Sequence, residues 1–226
     1  MAINLVKGQK IDLRKSSGEQ LTNFCVGVNW GAMESIKKNL FFKNKKIVKD
    51  VDLDLSCIMT DVNGELVDWI YTPEYNDFLK QNKFPLGKLK SNDNALHHSG
   101  DDRQGDVGGD DGLDNEIITV DLEYVSSRVQ KIFFFLNIYL NPGESYDFSN
   151  IPFAKIRMYE GTPSKVDNVH SSYDIVTDET YDGKGALIMG MLYRDAGVWK
   201  FNAIGRATGD MTFMKTIDKI LKNHAK

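Results

Sequence analysis

The sequence predicts an all-β fold, a β-sandwich of two antiparallel sheets with a C-terminal helix and minor helical insertions. Three observations lead there. Strand-length apolar or alternating runs recur from Asn23 to Gly205, turn-forming segments such as Asp61–Gly64 and Arg194–Gly197 separate them, and a helical period emerges only after Asp210.

Asn23–Asn29 reads as a strand ending at Trp30. Val51–Met59 alternates, with Val51, Leu53, Leu55, Cys57 and Met59 on one face and Asp52, Asp54 and Ser56 on the other. Asp61–Gly64 is a hairpin turn in which Asn63-Gly64 would supply the positive φ values, and Glu65–Tyr71 returns. Glu116–Leu122 comes next. Lys131–Leu140 (KIFFFLNIYL) is almost wholly apolar and is expected to be a central strand covered on both faces. Phe153–Glu160, His170–Val176, Ala186–Tyr193 and Val198–Gly205 complete the strand series. Asp210 is the expected N-cap of a helix whose apolar stripe is Phe213, Met214, Ile217, Ile220 and Leu221. Two stretches break the pattern and read as insertions, loops or short helices, within one domain spanning 1–226. They are 34–49, with six lysines, and 71–94, with Pro73 and Pro85.

Composition narrows the function. With 41% hydrophobic and 27% charged residues, the chain can bury a core and is not a disordered acidic or basic polymer. The first residues lack the apolar stretch of a secretory signal, and the longest apolar run is far shorter than the roughly 20 residues that span a bilayer. Cys25 and Cys57 form no CxxC or Cys/His cluster and read as buried, reduced thiols. A cytoplasmic location is expected.

The charge is concentrated. Gly100–Glu116 holds seven acids against Arg103, six net negative charges in a chain whose total is −4, so the remainder is slightly basic. A cation is the natural partner for such a segment, and nucleic acid is not. Calcium takes six to eight oxygens in a flexible arrangement. The loop GDDRQGDVGGDDGLDNE offers carboxylates, and five glycines let its backbone bend. It contains no Cys or His, which argues against zinc or copper. It is no EF-hand: counted from Asp101, position three is Arg103 and position twelve is Gly112; counted from Asp106 they are Gly108 and Ile117. Residues from another strand must complete such a site. Asp52 and Asp54, like charges on one face, are the natural contributors, unless that face is simply solvated.

With LVKGQKIDL and VGVNW near the start, DLDLSCIMTDVNGELVD, the acidic loop, VQKIFFFLNIY, FSNIPFAKIRMYEG and ALIMGMLYRDAGVWKFNAIG, the chain resembles the TerD family of tellurium-resistance and stress proteins. The resemblance implies a β-sandwich that binds calcium at acidic loops without recognised catalysis. It puts the family's Asp-Leu-Asp on Asp52 and Asp54, its loop start on Gly100, Asp101 and Asp102, and a following glycine on Gly105. Its second acidic segment falls on Gly109, Asp110 and Asp111, and its closing acid on Glu116. Where many members carry an acid after the Gly-x-x-Trp strand, this chain has Gly31. With Asp106 and Asp114 from the same loop, the expected metal residues are Asp52, Asp54, Asp101, Asp102, Gly105, Asp106, Gly109, Asp110, Asp111, Asp114 and Glu116, serving two Ca2+ ions.

The expected role is therefore a calcium-binding, non-catalytic stress-response module, with other stress-response or tellurium-resistance proteins as conceivable partners. One alternative is a metal-dependent hydrolase with His97 or His98 as base; adjacent strand residues face opposite ways, so only one could address the metal. No nucleophile elbow, P-loop or His-Glu-x-x-His is present to support it. Another is an interaction module using Lys37–Lys49 against an acidic protein, a nucleotide or a membrane surface.

Overall fold

The alternation over Val51–Met59 becomes a strand whose apolar side faces a core shared by two sheets, because period-two burial is what a sandwich requires. The computed structural model describes residues 3–4, 6–15, 17–37, 45–175 and 179–225. Its strands are β1 (Ile3–Asn4), β2 (Lys10–Asp12), β3 (Asn23–Trp30), β4 (Met33–Lys37), β5 (Lys45–Lys49), β6 (Asp52–Thr60) and β7 (Leu66–Ile70). After helix α1 (Asn76–Gln81) come β8 (Leu96–His98), β9 (Glu116–Asp121), β10 (Lys131–Tyr139), β11 (Ala154–Thr162), β12 (Lys165–Asp174), β13 (Ala186–Asp195), β14 (Val198–Thr208) and helix α2 (Phe213–Asn223).

One sheet has the order β1-β12-β11-β3-β9-β8 and the other β2-β14-β13-β10-β6-β7. All pairings within them are antiparallel except β1 with β12. Val26, Val28 and Trp30 of the first sheet meet Leu53, Leu55, Met59, Phe134 and Leu136 of the second in the main core. The other face of β10 carries Phe133 and Phe135, which pack with Ile58, Leu79, Phe213, Ile217 and Ile220. The KIFFFLNIYL run is thus covered on both sides, as its composition required, and α2 supplies much of the outer cover. No helix among the described residues is long and apolar enough to cross a membrane.

Several local expectations change. The stretch 34–49 is no loop or short helix where it is described: Met33–Lys37 pairs with Lys45–Lys49 in a two-stranded arm. Lys38 and Lys43 of the basic patch lie outside the described residues, as does Val176. In the Asp61–Gly64 turn only Gly64 has a positive φ (82°). Asp61 Oδ1 accepts from the amides of Asn63 and Glu65, so a carboxylate cap rather than a left-handed Asn63 makes the bend. Asp210 does not cap α2. Thr212 holds that position, while Asp210 accepts from Thr208 Oγ1 and pairs with Lys219.

Candidate metal centre

β6 bears Asp-Leu-Asp at its start, and the strand period puts both aspartates on the side away from the main core. That side is not solvated. Tyr75, from the short turn 73–75, donates its hydroxyl to Asp54 Oδ2 at 2.5 Å, and its ring stacks on Phe213 of α2 with centroids 5.4 Å apart. Asp54 is left 5% exposed. Tyr75, within the segment 71–94, therefore covers one aspartate of the pair.

The loop that follows β8 reaches the same place by a series of backbone anchors. His98 is buried, its Nδ1 accepts from the Gly100 amide at 3.0 Å, and its Nε2 lies 2.9 Å from Leu55 O. An amide can only donate, so the ring is the neutral Nε2–H tautomer and donates to β6. Glu116, 1% exposed, accepts from Leu55 N at 2.6 Å through Oε2 and from Asp102 N at 3.1 Å through Oε1. Glu116 thus ties the loop's beginning to the Asp-Leu-Asp strand. Gly105 passes so close to the end of β3 that a Cβ would lie 2.5 Å from Ala32 N, and Asp106 N bonds Trp30 O beside it. Only glycine fits there. Gly109 has φ 120°, a conformation that side chains disfavour.

Two carboxylate clusters result. In the first, one carboxylate oxygen each from Asp52, Asp54 and Asp101 lies within 4.8 Å of the others. Oδ1 of all three is buried with no hydrogen-bond partner. Burial, then the charges of Asp101 and Glu116, push Asp52 up to about 7. Burial, followed by Glu116 and Asp52, pushes Asp54 well above the usual carboxylate range. Arg103 lies outside, bonding Asp101 Oδ2 at 3.0 Å and Glu74 at 2.7 Å. An open cleft lined by Asp50, Asp52, Tyr139 and Tyr146 leads to the cluster.

In the second, Asp106, Asp110 and Asp111 bring oxygens within the same 4.8 Å. These carboxylates are better served. Asp106 accepts from Asp111 N and Asn115 Nδ2, Asp110 from Gly112 N and Asn29 Nδ2, and Asp111 from Leu113 N. Lys155 of β11 lies 3.2 Å from Asp110 Oδ2. Burial opposes ionisation of Asp110, but the Gly112 amide and Lys155 outweigh it and hold its carboxyl below the ordinary value.

The remaining expected acids belong to neither cluster, although Glu116 lies beside the first. Asp102 contributes its amide to Glu116, and its Oδ1 accepts from Gln104 N. Asp114 belongs to neither cluster: Arg157 Nε grips both its oxygens, at 2.8 and 3.0 Å, and Arg157 Nη2 holds Gly112 O. A Cβ on Gly27 would lie 2.0 Å from Asp114 Oδ2, so a glycine in β3 makes room for this buried pair. Glu116, expected as a closing ligand, has both oxygens taken by backbone amides. His97 lies on the opposite side of β8 from His98, near Asn94 O. Lys155 and Arg157 reach the loop from β11, Arg103 sits within it against its charge, and Tyr75 reaches Asp54 of β6. Of these, only Arg103 carried a sequence signal, as the loop's lone base.

Comparison with known proteins matches residues 1–217 to the TerD domain. The stress response protein SCP2 of Bacillus subtilis (strain 168) is 33% identical over 214 residues, covering 93% of this chain and 94% of that one. The tellurium resistance protein TerD of an Alcaligenes species is 29% identical, covering 91% and 90%. Among solved structures, a homologue of telluride resistance protein (TerD) from Streptomyces coelicolor A3(2) superposes with a TM-score of 0.59 at 14% identity, covering 91% of this chain and 98% of that one; this likeness speaks for the fold.

Proposed function

This chain belongs to the TerD domain family of tellurium-resistance and stress-response proteins, and from that premise we propose that it is a non-catalytic calcium-binding module of the stress response. The observation that carries the reading is the set of three buried, unpartnered carboxylate oxygens on Asp52, Asp54 and Asp101. A buried acceptor without a donor costs about 1–3 kcal/mol, and more when charged, and three carboxylates gathered this closely repel one another as well. A hard divalent cation relieves both costs at once. The donors are all oxygens, which favours calcium over zinc or copper. Tyr75 and Glu116 orient Asp54 and the loop, and Arg103 closes the outer side.

A second ion at Asp106, Asp110 and Asp111 would compete with backbone amides and Lys155, so the first cluster is expected to fill first. Calorimetric titration of the purified protein with Ca2+ tests the reading: heat of binding at one or two sites supports it, and no heat at millimolar calcium sinks it.

Both ring nitrogens of His98 are engaged in holding the loop to β6, which favours a binding role over a hydrolase using that histidine as base. Phosphodiesterase and phosphatase assays with Ca2+, Mg2+ and Mn2+ check this, and metal-dependent turnover would reverse it. The basic arm offers less support for an interaction surface, since Lys46 pairs with Glu34 and Lys49 with Glu144.

A further inference from the structure

Between Ile132 and Ile138, β10 is apolar at every position but one, and that one is Asn137. It is 4% exposed. Burying an amide is unfavourable unless both its ends find partners. One end does: Nδ2 donates to Thr216 Oγ1 of α2 at 3.1 Å, and Thr216 is itself fully buried. The other end does not, because Oδ1 is buried without any hydrogen-bond donor.

The register explains what this oxygen is for. Asn137 stands directly opposite Asp54 in the β10–β6 ladder, on the same side of the sheet. Opposed side chains in an antiparallel pair start from Cβ atoms about 4.5–5.5 Å apart. Asp54 Oδ1 is also buried and unpartnered. Two acceptors cannot satisfy each other; a positive centre between them satisfies both.

We infer that Asn137 Oδ1 is a fourth side-chain oxygen for the ion held by Asp52, Asp54 and Asp101, and that Thr216 of the C-terminal helix is the positioning residue that sets the amide's orientation. This rests on the calcium reading above and adds to it a ligand that no acidic pattern could disclose. A neutral oxygen raises the coordination number without adding to the repulsion among three carboxylates. Calcium accepts six to eight oxygens, whereas magnesium keeps several waters in a strict octahedron, so the amide favours calcium. Turned over, the same amide would donate Nδ2 to Asp54 and accept from the Thr216 hydroxyl, which lets one side chain serve the cation-free state too. It also links α2, which covers the outer face of β10, to occupancy of the site.

The test is calorimetric titration of the full chain with Ca2+ and, separately, Mg2+, for the wild type, Asn137→Ala, Asn137→Asp and Thr216→Val. Asn137→Ala should weaken calcium binding by about tenfold or more while changing magnesium less, so that the calcium-to-magnesium preference falls. Asn137→Asp, which keeps an oxygen in place, should bind calcium at least as tightly as the wild type. Thr216→Val should weaken calcium binding by less than Asn137→Ala. Unchanged calcium affinity in Asn137→Ala, or equal weakening in the Ala and Asp variants, overturns the inference and leaves the calcium reading standing. A wild type that takes up no calcium removes the reading and the inference together.

Discussion

Replacing Asp54 with Asn should make the calcium-free protein more stable and the calcium-loaded protein less responsive, a reversal of sign that few other substitutions would produce. In the folded chain Asp54 is 5% exposed, with Oδ1 unpartnered and Oδ2 on Tyr75 at 2.5 Å. Asparagine keeps an acceptor for the Tyr75 hydroxyl. It turns the other end from an unpartnered acceptor into a donor beside the clustered carboxylates of Asp52 and Asp101. Relief of that one unsatisfied group is worth about 1–3 kcal/mol. At roughly 2–4 °C per kcal/mol for a chain of this size, Tm in a chelator should rise by about 2–12 °C. With calcium at a hundredfold excess over its dissociation constant, the wild type gains about 2.7 kcal/mol. The variant, short of one charged ligand, should lose most of that gain. Scanning calorimetry of both proteins, with chelator and with calcium, reads all four values. If the variant melts below the wild type in chelator, the buried Asp54 carboxylate does not destabilise the calcium-free fold.

Because burial and neighbouring acids hold the Asp52 carboxyl up at about 7 in the fold, against 3.8 as the ordinary value, the native state keeps a proton that the unfolded chain releases. Calcium-free stability should therefore fall as pH rises from about 4 to about 7, by on the order of 2–4 kcal/mol from this group; Asp52→Asn should flatten that part of the Tm–pH curve, and an unchanged slope counts against the cause assigned. Calcium uptake near pH 6 should release protons, seen as a dependence of the calorimetric heat on the buffer's ionisation enthalpy. Gly105→Ala would press a methyl against Ala32 N, 2.5 Å away, so about 1–3 kcal/mol of stability should be lost together with calcium affinity; denaturant melts with and without calcium measure both. Asp114→Ala strips the partner from buried Arg157 and should cost about 3–5 kcal/mol while calcium still binds at the Asp52 cluster; loss of that binding with the fold intact would show Asp114 to be part of it.

Most of the frame could be read from the chain, because strand periodicity and turn residues are local. The alternation of β6, the apolar run of β10 and the stripe of α2 each state which side must be covered, and Ala196-Gly197, both at positive φ, makes the tight turn between β13 and β14. Short edge strands such as β1 and β2 carry too few residues to show a period, and the lysine-rich β4–β5 arm has a composition that suits a solvated loop equally well. Asp210 illustrates a different limit: it has the right type for an N-cap, but Lys219 and Thr208 compete for its carboxylate.

At the site the division is sharper. Charge, glycine content and the absence of soft ligands declared from sequence alone that Gly100–Glu116 must deal with a cation or stay open in water, and that Asp52 and Asp54 share a face. Which carboxylates are left without donors is set by packing, since it depends on partners far away in the chain. Tyr75 reaches back 21 positions to Asp54, Arg157 takes Asp114 from 43 positions away, and Asn137 meets Thr216 across 79. An acid's identity is written locally, but its neighbours, and hence whether it seeks an ion, a proton or an arginine, are set by packing.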